Sequence, residues 1–132
     1  MDEGEGSILV VDDEPHTLYV IKRVLGRRGY TVYTAGDVEE ALKQLEQYRI
    51  ELILLDVMMP GTPPKEVIKY LKTLQNPPKV FYFSALSKED RSSKRLRRDL
   101  IEECEEDIIL GYIEKPITSK ELLKLIEKVF EG

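Results

Sequence analysis

The chain has 132 residues, enough for one domain around one core, with 42% hydrophobic and 34% charged residues. A formal net charge of −5 and a pI near 5.1 exclude nucleic acid as the default partner, because phosphate binding needs clustered positive charge. Cys104 is the single cysteine, which excludes an internal disulfide framework. No apolar run approaches membrane-spanning length and no signal-peptide pattern opens the chain, so a cytoplasmic protein without membrane insertion is expected.

Residues 1–6 are acidic and Gly-rich, an expected frayed tail ahead of one domain over 7–132. Ser7–Val11 is a short apolar run that reads as a buried strand, and it ends in acid, Asp12-Asp13-Glu14. Pro15 suits the first turn of a helix, where its missing N–H costs nothing. That helix carries Leu18, Ile21 and Leu25 and ends near Gly29, with Asp12 or Asp13 as its expected cap. Tyr30–Ala35 is β-branched and aromatic, a second strand. Asp37 and Glu40 form a capping box for a second helix that ends near Tyr48.

Leu52–Leu55 runs straight into Asp56, and Pro60-Gly61 closes the stretch. This pattern predicts a strand buried on both faces, with Asp56 at its carboxyl end. Thr62-Pro63 opens a third helix carrying Val67, Ile68, Leu71 and Leu74, and Asn76-Pro77-Pro78 ends it. Val80–Phe83 is a fourth strand that finishes at Ser84-Ala85. A fourth helix carries Leu96, Leu100, Ile101 and Cys104 on one face and Lys94, Arg95, Arg97 and Arg98 on the other. A fifth strand lies within Ile108–Ile113 and finishes at Glu114-Lys115-Pro116. Thr118 and Glu121 cap a last helix with Leu122, Leu123, Leu125, Ile126 and Val129.

Strand and helix alternate five times, which implies a parallel sheet with helices on both faces. In such a sheet all carboxyl ends share one edge, so Asp12-Asp13, Asp56, Ser84 and Lys115 can meet there. Three carboxylates in one concave site repel one another. A hard divalent cation with oxygen ligands relieves that repulsion, and Mg²⁺ fits. Lys115 adds a compact cation and Ser84 a hydroxyl donor, so the site suits a small, highly anionic group such as phosphoryl. Asp56 could keep that group as an acyl phosphate.

Each residue also has a plainer reading. An aspartate at a strand end commonly closes a turn or caps a helix. A lone Ser84 is more often a loop hydroxyl, and a lone Lys115 a solvated charge. His16 has no second imidazole to build a site with and reads as a surface helix residue. Cys104 reads as a small core residue, and the basic run at 94–98 as a solvated face more often than a docking patch. The joint placement at four strand ends favours the functional reading.

The chain resembles the receiver domain of two-component response regulators over nearly its whole length. The matching motifs are Val10-Val11-Asp12-Asp13-Glu14, the stretch Leu54–Gly61 around Asp56, Ser84-Ala85, and Tyr112-Ile113-Glu114-Lys115-Pro116. The resemblance implies a flavodoxin-like (βα)5 fold, α/β class, with a five-stranded parallel sheet in order 2-1-3-4-5. It implies that Asp56 accepts phosphoryl from a histidine kinase phosphohistidine, or from a phosphotransfer protein. Asp12, Asp13, Asp56 and the backbone carbonyl of Met58 would hold Mg²⁺, with Mn²⁺ able to take its place. Ser84 would be the switch hydroxyl, Tyr112 the switch aromatic, and Lys115 the phosphate-binding cation, with a cis peptide before Pro116. Chemistry would stop at self-phosphorylation and autodephosphorylation. The face formed by the fourth helix, fifth strand and last helix would then change shape.

Thr62-Pro63-Pro64 departs from the family's usual Asp-Gly, and the span from Ser84 to Lys115 is longer than usual. By the same resemblance Met58 and Leu86 flank the phosphorylation site, where their bulk would restrict attacking water. A stand-alone domain with output through a separate protein partner is expected, from a monomer or a phosphorylation-dependent dimer. Three other functions compete. A haloacid-dehalogenase-type phosphatase wants a second aspartate where Met58 stands. A flavodoxin-like cofactor binder wants a Ser/Thr/Gly-rich loop after Val11. A phosphorylation-independent docking module usually loses an acid or the lysine, and this chain keeps all five.

Overall fold

The computed structural model describes residues 6–59, 61, 65–84, 108–114 and 117–131, with Ser84 as backbone only. Residues 1–5 of the expected tail over 1–6, the turn at Thr62-Pro63-Pro64, Leu86, the fourth helix with its basic face and Cys104, and Lys115-Pro116 lie outside the described residues. Gly6 is not frayed as expected: it is buried, and its carbonyl accepts the Thr31 N–H at 3.2 Å.

Five strands form one parallel sheet: β1 (Ser7–Val11), β2 (Thr31–Ala35), β3 (Leu52–Asp56), β4 (Lys79–Ser84) and β5 (Ile109–Glu114). Their order is β2-β1-β3-β4-β5, as the resemblance implied. Among the described residues the helices are α1 (Pro15–Arg27), α2 (Val38–Gln47), α3 (Lys65–Leu71) and α4 (Ser119–Glu131).

Every residue of β1 and β3 is buried. Alternate side chains of a strand point to opposite faces. Leu9, Val11, Ile53 and Leu55 therefore pack with Val38 and Ala41 of α2 and Val67, Ile68 and Leu71 of α3. Ile8, Val10, Leu52 and Leu54 pack on the other side with Ile21 and Leu25 of α1 and Leu122 and Ile126 of α4. Two covered faces explain why the central strands read as unbroken apolar runs. Each fully buried leucine or isoleucine contributes about 1.5–3 kcal/mol relative to exposure.

The helix ends follow local chemistry. Asp37 Oδ1 accepts the Glu40 N–H at 2.7 Å, while Glu40 Oε1 reaches back to the Gly36 N–H at 2.6 Å. Thr118 and Glu121 cap α4 reciprocally, with N–H···O distances of 3.1 and 3.2 Å. Gly29 sits at φ 95 just past α1, a left-handed position that suits glycine.

Two further expectations are corrected. Neither Asp12 nor Asp13 caps α1: its N-cap is Glu14, which makes no side-chain capping bond. Asp12 is instead drawn into the sheet edge, where its carboxylate closes a turn of its own. The third helix also ends early, at Leu71, leaving Leu74 beyond it. Thr73 donates both its N–H (3.0 Å) and its hydroxyl (2.6 Å) to the Tyr70 carbonyl, the group an α-helix would offer to Leu74.

Candidate functional site

The site is built from the ends of two neighbouring strands. Val11 of β1 is in register with Leu55 of β3, so the next residues, Asp12 and Asp56, end side by side. Backbone pairing continues past both. The Asp12 N–H donates to the Ala35 carbonyl at 3.1 Å, and the Val57 N–H donates to the Phe83 carbonyl at 3.2 Å. Each aspartate then closes the same kind of turn. Asp12 Oδ1 accepts the Glu14 N–H at 2.9 Å, and Asp56 Oδ1 accepts the Met58 N–H at 2.8 Å. These bonds fix the rotation of both carboxylates.

Asp12 is fully buried, Asp56 is 5% exposed, and Asp13 beside them is open to solvent. One carboxylate oxygen from each lies within 4.8 Å of the others. Like charges near 4 Å repel by about 4 kcal/mol at the effective dielectric of a protein surface. Burial of two of the three leaves little water to screen them. An all-oxygen, anionic donor set of this kind fits a hard divalent cation, and Mg²⁺ prefers a few carboxylates with waters retained. Met58, two residues after Asp56, is 54% exposed, and Gly61 takes φ 90.

The other expected residues fall as follows. Asp56 is in register with Phe83, and Ser84 is the next residue of β4, so its backbone reaches the same edge. Ser84 in turn is in register with Glu114 of β5. Lys115 comes next and lies outside the described residues. Tyr112 is not at the edge. It pairs with Tyr82 two residues below, half-buried against the core cluster that α2 and α3 cover. His16 is exposed in the first turn of α1, as expected. Sequence reasoning did not single out the Phe83 carbonyl, which anchors the residue after Asp56. Nor did it single out the paired aspartate turns, whose signal is an Asp two residues before the N–H it binds.

A family model described as the response regulator receiver domain matches residues 8–127. The alkaline phosphatase synthesis transcriptional regulatory protein PhoP of Bacillus subtilis (strain 168) is 49% identical over 65 residues, 49% of this chain and 27% of PhoP. Sporulation initiation phosphotransferase F of the same organism is 26% identical over 121 residues, 92% of this chain and 90% of that protein. The response regulator protein TrrA of Thermotoga maritima, solved in complex with Mg(2+)-BeF, is 30% identical with a TM-score of 0.70. That match covers 93% of this chain and 97% of TrrA. Against five curated regulators the chain spans only 27–50% of their length. Among the described residues no helix is long and apolar enough to cross a membrane.

Proposed function

Because the chain belongs to the response regulator receiver family of two-component signalling, we propose that Asp56 accepts a phosphoryl group from a phosphohistidine of a sensor histidine kinase or phosphotransfer protein. The observation that carries this reading is the convergence of Asp12, Asp13 and Asp56 at one sheet edge, with Asp12 and Asp56 buried. Those three carboxylates and the Met58 carbonyl would hold Mg²⁺, or Mn²⁺ in its place. When bound, the ion neutralises the carboxylates and the oxygens of the transferring phosphoryl group.

A carboxylate oxygen of Asp56 attacks phosphorus while the phosphorus–nitrogen bond breaks and its electron pair leaves with the imidazole. The product is an acyl phosphate. The Met58 N–H on Asp56 Oδ1 holds the carboxylate in one rotamer for that attack. Lys115 would pair with the new dianion and Ser84 would donate to it. Tyr112, packed beneath the edge, would follow Ser84. The altered surface, made by the expected fourth helix, β5 and α4, would then control a separate protein partner. Similarity to sporulation initiation phosphotransferase F over 90% of its length supports output of that kind.

Intact mass after incubation with acetyl phosphate tests the reading. Wild type should gain one phosphoryl group only with Mg²⁺ present, and Asp56→Asn should gain none. No gain by folded wild type would point instead to a docking module that keeps the receiver fold without the chemistry.

A further inference from the structure

The residue after the acid pair is held apart from it. Glu14 follows Asp12 and Asp13 and is open to solvent. Its N–H donates to Asp12 Oδ1 at 2.9 Å, so its side chain starts beside the acid cluster. Its carboxylate nevertheless does not join the group formed by Asp12, Asp13 and Asp56. The Thr17 hydroxyl, in the first turn of α1, donates to Glu14 Oε1 at 2.9 Å instead.

That bond is not a helix cap. Glu14 is the N-cap residue of α1, yet its side chain accepts no backbone N–H. In a capping box a hydroxyl stands at the N-cap and a carboxylate three residues on. Here the types are exchanged, with the carboxylate at Glu14 and the hydroxyl at Thr17. A hydroxyl bonded to a carboxylate satisfies none of the free N–H groups at the helix start. What it does is fix the carboxylate, through a charge-assisted bond from a β-branched side chain with few rotamers.

The consequence is a count of ligands. Mg²⁺ demands near-octahedral geometry, takes few carboxylates and keeps several waters, whereas Ca²⁺ takes about six to eight oxygens in flexible geometry. A fourth carboxylate free to swing in would therefore favour Ca²⁺ more than Mg²⁺. It would also fill coordination space that an incoming phosphoryl oxygen needs, and add a negative charge beside it.

We propose that Thr17 is a positioning residue for metal selectivity: by holding Glu14 against the start of α1, it keeps the site at three carboxylates and biases it toward Mg²⁺ over Ca²⁺. This role rests on the reading of Asp12, Asp13 and Asp56 as a cation site.

The test is calorimetric titration of Mg²⁺ and of Ca²⁺ into the metal-free full chain at fixed ionic strength. Thr17→Val should tighten Ca²⁺ binding about tenfold while Mg²⁺ binding changes by less than about threefold. Thr17→Ser keeps the hydroxyl and should restore the wild-type ratio. Glu14→Gln added to Thr17→Val should cancel the gain, which a merely structural role of Thr17 would not produce. Glu14→Gln alone should leave the ratio within about twofold of wild type, because the carboxylate is already held off. An unchanged ratio in a Thr17→Val chain that still binds Mg²⁺ would overturn the role of Thr17 and leave the cation site standing. A gain that survives Glu14→Gln would overturn it too. A folded wild type that binds neither ion would overturn the cation site itself, and the role of Thr17 with it.

Discussion

The two ends of the central strands treat buried polar groups in opposite ways. At the amino end, Ser7 is buried and locally satisfied. Its hydroxyl donates to the Arg49 carbonyl at 2.7 Å, its N–H donates to Glu51 Oε1 at 3.2 Å, and the Glu51 N–H donates back to its carbonyl at 3.0 Å. At the carboxyl end, Asp12 and Asp56 are equally buried, but their carboxylates converge on each other and on Asp13. One end gains stability from its polar groups; the other brings like charges together in an arrangement that suits a cation. A fold accepts such local conflict at a site that does something else.

The largest expected effect is chemical. Asp56→Asn should abolish phosphoryl gain from acetyl phosphate, because an amide oxygen is a poor nucleophile toward phosphorus. The same substitution removes one of three like charges, so the variant should stay folded in metal-free buffer. A phosphorylated Asp56→Asn protein, located elsewhere by peptide mass mapping, would break the assignment of the acceptor.

Asp12→Asn sharpens the contrast at the same end. The asparagine keeps the Oδ1 acceptor for the Glu14 N–H and removes only charge. In chelator-treated buffer it should raise the free energy of unfolding in urea by about 1–2 kcal/mol. With Mg²⁺ added, wild type should gain stability through binding and the variant should gain much less. A variant less stable than wild type without metal would mean that the Asp12 charge is compensated by the protein itself.

The part of this contrast that was legible in sequence is the part written in composition. Four apolar residues ahead of Asp56 could only be a strand covered on both faces, and β3 is buried throughout. The capping pairs at Asp37 and Thr118 announced α2 and α4, and the bonds are there. The early end of α3 was not legible, because Leu74 continues the apolar spacing while the Thr73 hydroxyl competes for the Tyr70 carbonyl. The wrong cap at α1 has the same origin. Asp12 could close a turn or cap a helix, and only the pairing of β1 with β2 and β3, which carries it into the sheet edge, decides between them.

At the amino end the expected losses are smaller. Ser7→Ala should destabilise by about 1–2 kcal/mol, since it strips the hydroxyl from the Arg49 carbonyl without giving that acceptor a new donor. Urea midpoints at pH 7 would measure it, and Mg²⁺ should leave the difference unchanged. If Ser7→Ala altered the response to Mg²⁺, the two ends would be coupled through β1 rather than independent.

The smallest expected effect lies where α1 meets α4. Arg28 and Glu127 pair at 2.7 Å with both side chains substantially exposed, so Arg28→Ala should cost less than about 1 kcal/mol and should cost still less in high salt. Its clearer signature is at alkaline pH. Burial first, and Glu127 second, push the Tyr30 phenol above its ordinary value near 10, while Arg28 pulls it back. A raised value in the folded state means that Tyr30 contributes its stability in full below pH 10 and loses it as pH rises through the folded value. Removing Arg28 raises that value further, so the alkaline loss should grow in Arg28→Ala. Tyr30→Phe should flatten it in both backgrounds, as measured by urea midpoints from pH 8 to about pH 11. An identical alkaline slope in wild type and Tyr30→Phe would place the titrating group elsewhere.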